Sequence, residues 1–488
     1  MKNNFLTSHS FSKNKYLLLG HLTFFTLFVF SFLFAFERVL YIDSVAQVFE
    51  FIRDEGFEIY VQRYSMYLFQ SLTVLVIKLH LPLSVVVYTY SLSVPIIGYL
   101  LWLITVYVLK NQKIGLLMLF IMLGIRQTFY HAISETFQLM FFASFLYAWL
   151  FQMQHFQKTI FSKILYYLIA SIFIALCVFI HPVAAFFVLF ILGMYLLNTN
   201  MSVFQKISIA ILTIGMVCLK LLNTRQGGHD MTFLVSGQEI FDRISKLFIL
   251  NSSRWYFEKI IDFYWMPLFM FVASLRFYWK TKRYWYFAFL SGFVSLFWVV
   301  TVVVYAGGGR GLDMERSFLP LFFFCGIPFV TEIFPNLSLK KNKVFFIGLS
   351  VLLIAGFTKI AVASIPYTKR LKKIEQIGVM ANQQGKHKLL MTKETANTIF
   401  PIDSWGLGFE SMIYSAVKNI DSTVNMYVVN DSTEFYNEKY KNINFYFAVP
   451  WWTFWEIDAL NPHYFRLPKQ LPSILTLEDE KLVIKDWE

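Results

Sequence analysis

The sequence predicts an α-helical polytopic membrane protein with about eleven transmembrane helices and a small extracytoplasmic α/β domain at its C-terminus. Three observations carry this. Of the 488 residues, 57% are hydrophobic and only 15% are charged, against roughly 25% charged in soluble domains. The apolar residues come in runs of about 20, the length that crosses a bilayer core. Backbone in that core has to satisfy its own hydrogen bonds, so the runs have to be helices. Beyond about residue 365 the composition changes, and polar turns with Asn and Asp replace the apolar runs.

Lys2, Lys13 and Lys15 precede the first apolar run, residues 16–36, and so place the N-terminus in the cytoplasm. That run is too long for a signal-peptide core and lacks a small-residue cleavage site, which makes it a retained span. A first outer loop, residues 37–65, follows. Val45, Val48, Phe49 and Ile52 recur there at helical spacing, the pattern of an interfacial amphipathic helix. Residues 67–79 are apolar but short. If they crossed, Lys110 and Lys113 would lie outside, so they are read as re-entrant or interfacial, and residues 82–109 as the second span.

The remaining spans then alternate. Residues 114–125 run outward, 136–151 inward, and 164–180 outward to His181-Pro182. Residues 183–197 return, 207–222 run outward, and 223–262 form a second large outer loop. Residues 264–279 return, 284–305 run outward to a glycine-rich loop at 306–317, 318–334 return, and 344–363 leave for the last time. In this scheme Lys163, Lys206, Lys280, Lys282, Arg283, Lys340, Lys341 and Lys343 all fall inside. The membrane domain is residues 1–364 and the extracytoplasmic domain residues 365–488. Within the latter, strands are expected at 388–391, 424–429 and 445–449, with a helix near 408–418. Trp451, Trp452, Phe454 and Trp455 cluster after the last of these strands, either as core or membrane belt or as a sugar-stacking platform.

The net charge of +13 is spread over short loops between spans and forms no soluble basic face, which excludes a nucleic-acid partner. Cys177, Cys218 and Cys325 lie in or beside apolar runs and form no CxxC, so neither disulfides nor a thiolate metal site is expected. No metal-binding motif is present; a divalent cation shared by Asp43 and Glu135 is the one option left open.

Charge at the outer membrane face is costly to hold near lipid and marks candidate sites. Asp43 offers a carboxylate that can deprotonate a hydroxyl, or can cap the amphipathic helix it begins. Arg126, His131 and Glu135 follow in GIRQTFYHAISE; His131 and Glu135 are four apart and are expected on one helix face. They form a site, or a snorkelling Arg with an ordinary ion pair. His181 stands at the outer end of a span, as a substrate contact or as a polar residue beside a helix break. Gly307, Gly308 and Gly309 precede Arg310, with Arg316 six residues on. Glycine backbone and guanidinium together can approach an anion closely, though a flexible loop with snorkelling charges has the same composition.

The order of these elements resembles the GT-C glycosyltransferase superfamily, integral membrane enzymes that use polyprenyl-phosphate-linked sugars. The resemblance lies in YIDS after the first span, then YSMYLFQSLTVLVIKL, the basic turn KNQK, and an outer loop carrying Arg126 with Glu135 at the head of the next span. It covers about the first 150 residues by these segments and the rest by hydropathy. It implies a GT-C-like fold, placement in a bacterial inner or plasma membrane, and transfer of a sugar from a polyprenyl-phosphate donor to an extracytoplasmic acceptor (glycan, lipid or protein). By the same resemblance Asp43 is the base, Glu135 positions a substrate, and Arg310, Arg316 and Arg126 bind the donor phosphate, with His131 and His181 as substrate contacts. The chain departs from the pattern in two places. Ser44 stands where a second acid is common, and Ser65-Met66-Tyr67 replaces a proline-containing stretch. An envelope polysaccharide polymerase or ligase, a transporter or flippase, and a non-catalytic assembly subunit are the competing readings.

Overall fold

A computed structural model describes residues 10–59, 63–125, 128–132, 134–153, 159–224, 237–306 and 315–487. The apolar runs form helices. The first is α1 (Ser10–Leu33), continued with one break by α2 (Ala35–Val39). Next come α3 (Ile42–Asp54), α4 (Met66–Lys78), α5 (Leu83–Leu103, extended by a π-helical turn), α6 (Gln112–Gly124) and α7 (Glu135–Gln152). The bundle continues with α8 (Ile160–Val178), α9 (Ala184–Leu197), α10 (Val203–Thr224), α11 (Gly237–Ser245) and α12 (Asn251–Asp262). It ends with α13 (Trp265–Lys280), α14 (Tyr284–Val304), α15 (Glu315–Pro328) and α16 (Leu339–Gln383).

Among the described residues seven helices are long and apolar enough to cross a membrane, or eight if α12 and α13, bent by 89°, count as one span. The chain is therefore a multi-pass helical membrane protein. Three segments expected as spans are short or bent, and a fourth is helical but wrapped by its neighbours. With 13 residues, α6 is about 20 Å long, well short of the roughly 30 Å core. Every residue of α7 from Thr136 to Leu150 is buried, which places this all-round apolar helix at the bundle centre. The apolar segment expected at 67–79 forms α4, also 13 residues long. It packs antiparallel on α5, and the turn between them is held from above by Tyr464, whose hydroxyl donates to the carbonyls of Ile77 and Leu81.

The expected domain boundary at 364/365 falls inside α16, which runs unbroken for 45 residues, about 68 Å. Leu371, Ile374, Ile377 and Ala381 keep a helical apolar stripe going, and they bury into the C-terminal domain rather than lipid.

That domain contains β1 (Lys388–Thr392), α17 (Lys393–Ile399), α18 (Leu407–Lys418) and β2 (Asn425–Val429). The chain then forms β3 (Phe445–Val449), β4 (Trp452–Glu456), β5 (Ser473–Glu478) and β6 (Lys481–Lys485). The main sheet has the order β2-β1-β5-β6; β1 is parallel to both neighbours, and β5-β6 is an antiparallel hairpin. A separate hairpin pairs β3 with β4. Of the aromatic cluster expected after a strand, Trp452, Phe454 and Trp455 lie on strand β4 and Trp451 in the turn before it. Trp455 packs among Phe49, Phe409 and Tyr446, so this member is core and not a platform.

At Gly408, in the first turn of α18, a Cβ would lie 2.4 Å from the Phe447 carbonyl oxygen and 2.7 Å from that of Ala448. Backbone cannot yield as a flexible side chain can. Gly408→Ala is expected to destabilise the domain by about 1–3 kcal/mol, read as a lower melting midpoint of the full chain in detergent.

Candidate functional site

The amphipathic helix expected in the first outer loop is α3, and its apolar stripe docks on the C-terminal domain. Phe49 stacks on Phe409 at 4.2 Å and packs against Phe465, while the Arg53 guanidinium lies 4.3 Å over Trp455. The chain enters α3 through Ile42, whose φ is +39°. A β-branched residue in that region is strained, and strain of this kind persists where surroundings enforce it. Here they do: the Tyr41 hydroxyl donates to the Asp403 carbonyl at 3.1 Å, and Gly406 packs against Val45 and the Ile42 carbonyl.

Asp43 follows this strained turn and is exposed in the first turn of α3. The expectation that it caps the helix is corrected: the cap position is Tyr41, and no side chain bonds there. The carboxylate still stands at the favourable end of the helix dipole. Below it, Tyr90 of α5 donates to Gln47 Oε1 at 2.7 Å. The Tyr90 hydroxyl is also within hydrogen-bonding reach of Ser44 and within electrostatic reach of Asp43, Glu135 and Arg38.

Glu135 is the first residue of α7, where Ser134 caps by accepting from the Phe137 N–H. Its carboxylate forms a close, half-buried ion pair with Arg63. Arg126 lies outside the described residues. His131 and Glu135 do not share a helix face, as their spacing suggested. His131 sits in a turn before α7, its N–H donating to the Thr128 carbonyl and its own carbonyl accepting from the Ser134 N–H. Its ring meets Tyr41 at 5.6 Å, and burial holds the imidazole below its usual pKa, so it is neutral at physiological pH.

His181 belongs to the turn between α8 and α9, where its Nδ1 accepts from the Val183 N–H at 3.1 Å. It stands two residues from Phe179, whose ring meets Tyr64 and whose carbonyl accepts from the Ser65 N–H. His131 thus meets Tyr41, two residues before Asp43, Glu135 pairs with Arg63, and His181 stands beside the loop that carries Arg63. Arg310 lies outside the described residues. Arg316 is in the first turn of α15, but its side chain is also outside them.

Three members of the cluster escaped sequence reasoning: Arg38, Arg63 and Tyr90. Arg38 had a signal, a lone Arg in FERVL at the end of the first span. Tyr90 had none, being one of five hydroxyl residues between Tyr88 and Ser93 with nothing to single it out. Among the described residues no group of three or more His, Cys, Asp or Glu could hold a metal ion. An open cleft of about 610 Å³ in the C-terminal domain shares no lining residue with this cluster, and its Arg466 and Asp421 pair with each other at 3.0 Å.

Two turns along α3 from Asp43, Glu50 is buried, its Oε2 has no hydrogen-bond partner, and burial raises its pKa to about 8, with Glu58 adding to the shift. A folded-state pKa above the unfolded value means the stabilisation is fully present below about pH 4.5 and is lost as pH rises through about 8. Glu50→Gln is expected to melt higher than the parent at pH 9, by about 3 °C or more, with the gap narrowing as pH falls below about 8 and closed below about 4.5.

Compared with protein-family models, curated proteins and solved structures, the chain matches none.

Proposed function

We propose that this protein is a membrane glycosyltransferase of GT-C type. It moves a sugar from a polyprenyl-phosphate donor to a hydroxyl acceptor on the face that carries the C-terminal domain. The N-terminus is cytoplasmic in this reading, the domain is extracytoplasmic, and about eleven segments make up the membrane part. The observations that support it are the carboxylate of Asp43, exposed at the head of α3, and that of Glu135, about 90 residues on and paired with Arg63, both within electrostatic reach of Tyr90.

The chemistry follows from those groups. Asp43, exposed at the rim, accepts the acceptor's hydroxyl proton. The oxygen forms a bond to the anomeric carbon, and the bond from that carbon to the phosphate oxygen breaks. The electron pair leaves with the polyprenyl phosphate, and arginine stabilises the charge that develops there. Glu135, fixed by Arg63, holds the substrate in place, and neutral His131 offers a further hydrogen bond. Trp405 and Trp451, with rings 4.7 Å apart, flank the same rim through Gly406 and give a sugar ring an apolar face.

The experiment is release of polyprenyl phosphate from polyprenyl-phosphate hexoses and pentoses by the purified full chain in nanodiscs, with envelope extract as acceptor. Loss of release in Asp43→Asn supports the transferase. Normal release in Asp43→Asn with loss only in Arg310→Ala favours the polymerase or ligase.

A further inference from the structure

The orientation of Arg38 runs against the usual behaviour of a basic residue at the end of a span. It belongs to α2, just past the first apolar span, and is buried. A basic side chain there ordinarily extends outward to water. Arg38 turns back instead. Its Nη1 donates to Ser31 Oγ at 2.7 Å, two helical turns earlier and inside the apolar span Asn14–Leu33. The guanidinium lies 4.2 Å over the Phe129 ring, with Tyr90 and Tyr130 in its electrostatic neighbourhood. Among the described residues no carboxylate forms an ion pair with it. Its Nε is buried with no hydrogen-bond partner.

A buried cation with an orphaned N–H and no counter-charge is costly. The cost is offset when a ligand supplies both the negative charge and an acceptor. Ser31 occupies one of the five guanidinium N–H groups, and Nε–H is free to meet an oxygen anion in fork geometry. The depth selects the ligand's form: Ser31 is within the last turn of α1, where hydrocarbon gives way to headgroup. An anion at that depth is carried on a lipid.

We infer that Arg38 binds the phosphate ester of a membrane lipid at the domain end of α1. The inference rests on the transferase reading only in taking that lipid to be a polyprenyl chain. Tyr90, within electrostatic reach of Arg38, is also within reach of Asp43 and Glu135. Arg38 then does for the leaving phosphate what sequence analysis expected of Arg126, Arg310 and Arg316.

The test is binding of a polyprenyl monophosphate to the full chain in detergent micelles, followed by native mass spectrometry. The uncharged polyprenol of the same length and inorganic phosphate serve as comparison probes. The parent is expected to bind the lipid phosphate at least about tenfold more tightly than the polyprenol, and Arg38→Gln to lose that preference, as removal of a charge-assisted hydrogen bond implies. Arg38→Lys is expected to keep part of it. Equal affinity of the parent for polyprenyl phosphate and polyprenol overturns the inference, with no variant needed. So does an unchanged preference in folded Arg38→Gln. Inorganic phosphate binding as tightly as the lipid overturns the lipid source. Arg38-dependent binding without sugar transfer leaves the inference standing and removes the transferase reading. Transfer that proceeds while Arg38→Gln binds as the parent does removes this inference alone.

Discussion

Glu410→Ala is expected to destabilise the C-terminal domain by about 3–5 kcal/mol, the cost of leaving one partner of a buried ion pair uncompensated. Arg370, from the part of α16 that rises out of the bundle, and Glu410, from α18, are both buried. The Arg370 Nε donates to Glu410 Oε2 at 2.7 Å, and Nη1 donates to the Ile402 carbonyl at 2.8 Å. Ser404 donates a close hydrogen bond to the other carboxylate oxygen. Removing the carboxylate strands the guanidinium and frees loop 402–404 together. That loop receives the Tyr41 hydroxyl at Asp403, so the loss reaches the strained turn before Asp43. Glu410→Ala is therefore expected to lower both the melting midpoint and any activity. The double variant Arg370→Met with Glu410→Leu is expected to recover most of the stability, because well-packed apolar groups commonly replace a buried pair without loss. A midpoint unchanged in Glu410→Ala would show that the pair carries none of this load.

Asp43→Asn is expected to reduce sugar transfer by at least about 10²–10⁴-fold, the usual contribution of a positioned general base. Its melting midpoint should stay within the range of neutral surface changes, about 0.5 kcal/mol. The side chain is exposed and the substitution keeps its shape, so the two effects separate cleanly. The amide cannot take a proton, whereas Asp43→Glu keeps the carboxylate and moves it by one methylene. Partial activity in Asp43→Glu, with none in Asp43→Asn, is the pattern a base produces. Equal losses in both would point to a role in shape or electrostatics alone.

The membrane class was legible because hydropathy in long runs leaves little choice of structure. The amphipathic helix was legible for the same kind of reason: Val45, Val48, Phe49 and Ile52 recur at helical spacing. What that stripe packs against was not. Its partner is Phe409 and Phe465, some 360 to 420 residues away, and no local pattern encodes such a contact. The helices α6 and α9 are as short as the apolar runs at 114–125 and 183–197 from which they were read, 13 and 14 residues, below the length of about 20 that crosses a bilayer core. Strand β4 was missed because four large aromatics in five residues hide the alternation that marks a strand. Three strands of the domain showed clear runs, while β5, paired on both sides, and the edge strand β6 are mixed in character.

The site divides in the same way. Asp43 and Glu135 were legible as acids beside span ends. His131 was placed on the wrong element, because a four-residue spacing says nothing about whether the helix has begun; Ser134 starts it three residues later. Tyr90 joins the two acids only through tertiary packing. Arg38 was readable as a charge but not as an inward-pointing one, because direction depends on Ser31 and Phe129 closing around it.

The most direct test of the account is a cryo-electron microscopy structure of the full chain in nanodiscs with a polyprenyl-phosphate sugar, using Asp43→Asn to hold the donor unreacted. Density for the phosphate is expected against Arg38, with the sugar beside Tyr90 and facing residue 43 and Glu135. Donor density bound elsewhere, or residue 43 and Glu135 on surfaces that no common ligand touches, would contradict it.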